Sequence, residues 1–138
     1  KDLIKNKIPV MGHLGILPQT DKKFTFKGKR FSERHKILKD AEMLESAGIF
    51  SVVLECVETK LAKMISSKLK IPTIGIGSSN NCDGQVLVID DLIGLNNSNF
   101  RFVKKYANIN RVIKKAVKRY KFDVSKKLFP KVKHSFNN

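Results

Sequence analysis

The sequence predicts an α/β fold built on parallel strands, and two observations carry the prediction. Short apolar runs rich in β-branched residues recur at residues 8–12, 51–57, 71–77 and 85–89, and amphipathic helical patterns lie between the first three of them. Strand, helix, strand, helix, strand, loop, strand is the order of a parallel sheet or barrel with right-handed crossovers. The run Ser51-Val52-Val53-Leu54-Glu55-Cys56-Val57 organises the rest. It reads as a strand covered on both faces, and it ends in a carboxylate. An unpartnered buried carboxylate costs several kcal/mol, so Glu55 faces a polar cavity or meets a cation. In parallel α/β architectures the C-terminal strand ends are where active sites sit.

Taken in order, residues 1–7 read as a helix end or linker, and Ile8-Pro9-Val10-Met11-Gly12 as a strand leading to His13. Pro9 suits a strand start. Gly12 and Gly15 flank His13 and Leu14, as at a strand end that another part of the backbone approaches closely. A basic loop over residues 21–30 interleaves Phe24 and Phe26 with lysines, a pattern that stacks bases in some proteins and here is expected to pack its rings with the lysines in water. Ser32 is the expected N-cap of a helix to about Ala47, with Phe31 as a staple, Ile37, Leu38, Ala41 and Leu44 on one stripe, and Gly48 as the stop. A second helix over residues 58–70 turns Leu61, Met64, Ile65 and Leu69 inward. Residues 71–77 form a strand closing on Gly75 and Gly77, whose spacing lacks a GxGxxG or P-loop pattern. A polar loop leads to a fourth strand, residues 85–89, closing on Asp90 and Asp91. In the tail Ile109, Val112, Ile113, Ala116, Val117 and Tyr120 recur at helical spacing, with Arg111, Lys114, Lys115, Lys118 and Arg119 on the opposite face. That helix is expected to pack its apolar side on the body of the fold.

The 138 residues suit one modest domain over residues 1–138. No stretch reaches the roughly 20 apolar residues of a membrane helix and no leader pattern is present, so the expectation is a cytoplasmic protein without a membrane partner. Cys56 and Cys82 make neither a disulfide framework nor a zinc spacing and are expected to be reduced. The net charge of +16 raises nucleic acid as a partner. Only Arg30, Arg34, Arg101, Arg111 and Arg119 are arginines, however, and bidentate phosphate and base recognition favours Arg over Lys. The dispersed lysines read better as solvated positions.

Five motifs in order, Ile8-Pro9-Val10-Met11-Gly12-His13-Leu14-Gly15 with Pro18-Gln19, Val53-Leu54-Glu55-Cys56-Val57, Ile71-Pro72 with Ile74-Gly75-Ile76-Gly77, Asp83-Gly84-Gln85, and Phe129-Pro130 with His134-Ser135-Phe136, resemble ketopantoate hydroxymethyltransferase. The resemblance covers the C-terminal half of that family and implies the C-terminal half of a (β/α)8 TIM barrel: four parallel strands, covering helices and a helical tail. It implies transfer of a one-carbon unit from 5,10-methylenetetrahydrofolate, as co-substrate, to 3-methyl-2-oxobutanoate, giving 2-dehydropantoate in pantothenate biosynthesis. Glu55 matches the family's proton acceptor, and His13, matching the His of its GHLG motif, is expected close to substrate. The family uses Mg²⁺, whose two Asp and one Glu ligands are expected in the N-terminal half that has no counterpart here, so no metal ligand is assigned in this chain. A homo-oligomer, decameric in the family, is implied as well. Ser78-Ser79 stands where Ala-Gly is usual, and Lys131-Val132-Lys133 replaces acidic residues. A different class of reading, a small basic nucleic-acid-binding module using the Phe24/Phe26 loop and the Arg111 to Lys121 helix face, gives no reason for an acid at the end of an apolar strand.

Overall fold

Four strands, β1 (Met11–Gly15), β2 (Ser51–Glu55), β3 (Thr73–Ile76) and β4 (Gly84–Gln85), form one parallel sheet in sequential order in the computed structural model, which describes residues 1–19 and 25–136. The chain divides into two compact units, Lys1–Leu87 and Val88–Asn138. In the first, a short helix α1 (Asp2–Lys5) precedes β1, and α2 (Phe31–Ser46) and α3 (Thr59–Lys68) are the crossovers. This is the α/β class expected, and four parallel strands in one sheet, with helical crossovers between the first three, are consistent with part of a TIM barrel.

Register and alternation sort the sheet into two faces. Gly12, Val52, Leu54, Thr73 and Gly75 share one, and the helices cover it. Ile37 and Ala41 of α2 and Leu61, Ala62 and Ile65 of α3 close over Val52 and Leu54 in a single cluster. Each buried aliphatic chain of this kind contributes about 1.5–3 kcal/mol. Met11, His13, Val53, Glu55, Ile74 and Ile76 share the opposite face, which in a closed barrel points inward. Val53, Ile74 and Ile76 are half-buried and Met11 is exposed.

Several local expectations change. The first strand begins at Met11, because Pro9 lacks an N–H and pairing starts with Met11 opposite Ser51. Arg30, not Ser32, is the N-cap residue of α2, and Phe31 is its exposed first helical residue rather than a staple. Gly48 does stop the helix, at φ +93°. Met64 is exposed rather than core, since Leu61, Ala62 and Ile65 fill the stripe. The fourth strand is only Gly84–Gln85: Val86 donates one more ladder bond to Gly75 O (3.0 Å), Val86 and Val88 are exposed, and Ile89 opens a short helix. Beyond Val86 no further ladder bond forms among the described residues. The Phe24 part of the basic loop, with Lys22 and Lys23, lies outside the described residues; Phe26 is exposed rather than packed down.

The second unit holds that short helix, α4 (Ile89–Leu92), the long helix α5 (Ile109–Ser125) and a 3-10 turn, Val132–His134. Asn108 caps α5 by accepting from Arg111 N–H at 3.0 Å. Gly94, at φ +66°, is where the loop crosses itself: a Cβ there would come within 2.3 Å of Ala107 O. Phe129 packs between Tyr120 and His134, with ring centroids 5.6 and 5.2 Å away, so the terminal motif folds back onto α5. The apolar positions of α5, Val112, Ile113, Val117 and Tyr120, are not covered by the rest of this unit.

Candidate active site

The site is built from the C-terminal ends of β1 and β2. The continuous apolar run that makes β2 a central strand leaves Glu55 as its last residue, on the face that the helices do not cover. His13 lies in register with Val53 and therefore projects from that same face one strand over. The two side chains meet: His13 Nε2 is 3.1 Å from Glu55 Oε2, with the imidazole 35% and the carboxylate 11% exposed. The cation or polar partner that a nearly buried strand-end carboxylate requires is thus the imidazole of the neighbouring strand. Both residues singled out in the sequence converge on one spot.

The backbone around this pair is tightly stitched. Ile16 N–H donates to Glu55 O at 2.9 Å, an approach that only glycine at position 15 permits, since a Cβ there would stand 2.0 Å from that same oxygen. Cys56 follows in a left-handed conformation at φ +50°, uncommon for a residue with a side chain. Its N–H donates to Ile76 O and its carbonyl accepts from Lys27 N–H, both at 2.8 Å. Ser78 closes the turn: its Oγ donates to Leu54 O at 2.6 Å and accepts from Val57 N–H at 2.9 Å. Ser78 therefore ties down the segment bearing Glu55. The close backbone approach expected at the Gly12 and Gly15 strand end is found at Gly15, whereas the Ser78 bonds were not foreseen. The glycine after the His-Leu pair is the signal that was present; a loop hydroxyl carries none.

Burial, and then the adjacent Glu55 carboxylate, push the Cys56 thiol above its ordinary range, so it stays protonated at neutral pH and is not a nucleophile. Cys56 and Cys82 are both free, as expected. Two further carboxylates have structural work. Burial pushes Glu58 up, but it is held below the usual carboxylate range by the N–H groups of Lys60 and Leu61, which it caps at the start of α3, and by the Arg34 guanidinium at 2.9 Å. Asp83 is held low by the N–H and hydroxyl of Thr73, at 2.8 and 2.9 Å. Asp90 and Asp91 sit in the first turn of α4, not at a strand end. Among the described residues no three His, Cys, Asp or Glu side chains come together as a metal site, and no helix is long and apolar enough to cross a membrane.

Comparison with known proteins places these features in a family setting. The sequence model of ketopantoate hydroxymethyltransferase matches residues 1–132. A 3-methyl-2-oxobutanoate hydroxymethyltransferase of Pelagibacter ubique (strain HTCC1062) is 60% identical over 136 residues, 99% of this chain and 53% of the relative. Proteins of the same name from Clostridioides difficile (strain 630) and Anaeromyxobacter dehalogenans (strain 2CP-1 / ATCC BAA-258) are 43% and 42% identical over 99% of this chain, covering 51% and 46% of their own lengths. The chain thus spans about half the length of the curated relatives it matches.

Proposed function

Because this chain belongs to the ketopantoate hydroxymethyltransferase family, we propose that it supplies the general base for hydroxymethyl transfer from 5,10-methylenetetrahydrofolate to 3-methyl-2-oxobutanoate, giving 2-dehydropantoate in pantothenate biosynthesis. The observation that supports this most is the Glu55 carboxylate, 11% exposed and 3.1 Å from His13 Nε2 at adjoining parallel strand ends. The hydrogen on the substrate carbon next to the ketone must be removed before that carbon can bond to the one-carbon unit. A carboxylate held with little water around it, on a backbone fixed by Gly15, Cys56 and Ser78, suits that proton transfer. His13, one third exposed, orients the carboxylate from one side and lines the space that the substrate enters.

Magnesium, as the ion that stabilises the enolate, is part of the same proposal, but the donors on this chain do not make its site. One carboxylate beside one imidazole falls short of the near-octahedral, oxygen-rich set that Mg²⁺ takes, and among the described residues no larger cluster forms. Its ligands would come from outside residues 1–138. A homo-oligomeric, cytoplasmic enzyme belongs to the same reading. The nucleic-acid-binding alternative has no specific observation in its favour.

The test joins residues 1–138 to the part of the Pelagibacter ubique relative that has no counterpart here, and measures transfer to 3-methyl-2-oxobutanoate with and without Mg²⁺. Mg²⁺-dependent turnover that needs both parts supports the proposal. An inert pair, or full turnover by residues 1–138 alone, contradicts it.

A further inference from the structure

On the hydroxymethyl-transfer reading, on which this inference rests, each turnover puts a proton on the Glu55 carboxylate, and the hydrogen balance requires it to leave again. The methylene unit quits two folate nitrogens and becomes a C–CH2–OH group. Water supplies the oxygen and two hydrogens, C3 supplies the third, and the three end on the two nitrogens and the new hydroxyl. A base that kept the C3 proton would stop after one cycle. Burial makes that departure difficult, because the Glu55 side chain is only 11% exposed and bulk water reaches it poorly.

The neighbours of Glu55 narrow the exit to one side chain. Ile76, in register with it on β3, is apolar. The Cys56 thiol, held protonated by burial and by Glu55 itself, accepts no proton, and the Glu58 carboxylate is taken up by Arg34 and by the N–H groups of Lys60 and Leu61. Among the described residues His13 meets both needs: Nε2 stands 3.1 Å from Glu55 Oε2, and the ring is 35% exposed. An imidazole takes a proton at one nitrogen and gives one up at the other near neutral pH. We infer that His13 is the proton relay of Glu55. The carboxylate takes the proton from C3 as the C–H electron pair passes into the enolate. The Glu55 O–H then gives it to Nε2, the hydrogen on Nδ1 leaves to water, and the exposed ring exchanges its tautomer with solvent before the next cycle. One proton moves from C3 to water, and neither side chain is left changed. Orienting the carboxylate, by contrast, needs only a hydrogen-bond donor at that place.

The experiment follows, by NMR and without folate, the loss of deuterium from C3-deuterated 3-methyl-2-oxobutanoate in ordinary water, in the joined protein and in its His13→Gln and His13→Ala variants. His13→Gln keeps a hydrogen-bond donor beside Glu55 but relays no proton, and circular dichroism checks the folding of both variants. Washout should slow by about tenfold or more in each, because the abstracting group is intact and the deuterium it takes returns to C3 before it escapes. Imidazole added to the His13→Ala protein should restore most of the lost rate. Pyrazole, a ring of the same size and a much weaker base, should not. Washout from His13→Gln as fast as from the parent, equal rescue of His13→Ala by the two rings, or rescue by neither overturns the inference. A parent protein that releases no deuterium, or a Glu55→Gln variant that releases it at the parent's rate, contradicts the transfer reading itself, so the two failures are distinct results.

Discussion

A Cβ on Gly15 would stand 2.0 Å from the carbonyl oxygen of Glu55. The close approach places the end of β1, and with it His13, against the end of β2. It also requires φ +99° at position 15, a region that residues with a Cβ seldom occupy.

Gly15→Ala should therefore destabilise the fold by about 1–3 kcal/mol and weaken the bond from Ile16 N–H to Glu55 O. Urea denaturation of variant and parent measures this. A change within about 0.5 kcal/mol, the range of ordinary surface substitutions, would show that the strand ends separate without strain.

His13→Ala removes the imidazole from beside Glu55 at a position one third exposed, so the fold should tolerate it. Turnover of the joined protein should fall by roughly 10- to 100-fold, the scale of a misplaced catalytic group. Unchanged kcat and KM would exclude both the orienting and the substrate-lining role.

Acid stability should depend on Asp83. Its carboxyl is held below the usual range by Thr73, so the unfolded chain takes up a proton at a higher pH than the folded one. The stabilisation is complete above the ordinary Asp value of about 4 and is lost as pH falls through the lower folded value. Asp83→Asn should flatten the acid limb of a plot of urea midpoint against pH while lowering stability at neutral pH. An acid limb identical to that of the parent would contradict the assignment.

The legible parts of the fold were those with a strong period or a misplaced charge. The run 51–57 announced a covered strand and made Glu55 conspicuous, and the stripes through Ile37 and Ala41 and through Leu61 and Ile65 defined two helices. Residues 85–89 misled because an apolar run reads as a strand whether or not a neighbour exists to pair with it; here pairing stops after Val86. In α5 the period revealed the helix but not whether anything covers Val112 and Val117. The His13 to Glu55 contact needed the register, since the two residues lie far apart in sequence. The Ser78 bonds left no mark at all, because loop hydroxyls look alike wherever they fall.

Residues 1–138 studied alone should self-associate. Met11 is exposed and Val53, Ile74 and Ile76 are only half-buried on the sheet face opposite the helices, and β1 and β4 are the outer strands of an open sheet. Sedimentation with and without the complementary part of the Pelagibacter ubique relative reports this. A stable monomer that ignores the added part would mean that this face needs no cover.

The most direct test of Glu55 as the base is exchange of the C3 hydrogen of 3-methyl-2-oxobutanoate into deuterated water, followed by NMR in the joined protein and its Glu55→Gln variant. The step needs no folate and isolates the proton transfer. Exchange should slow by about 100-fold or more, the lower range for a positioned base, with folding and substrate affinity retained. Exchange as fast as that of the parent would show that another group takes the proton.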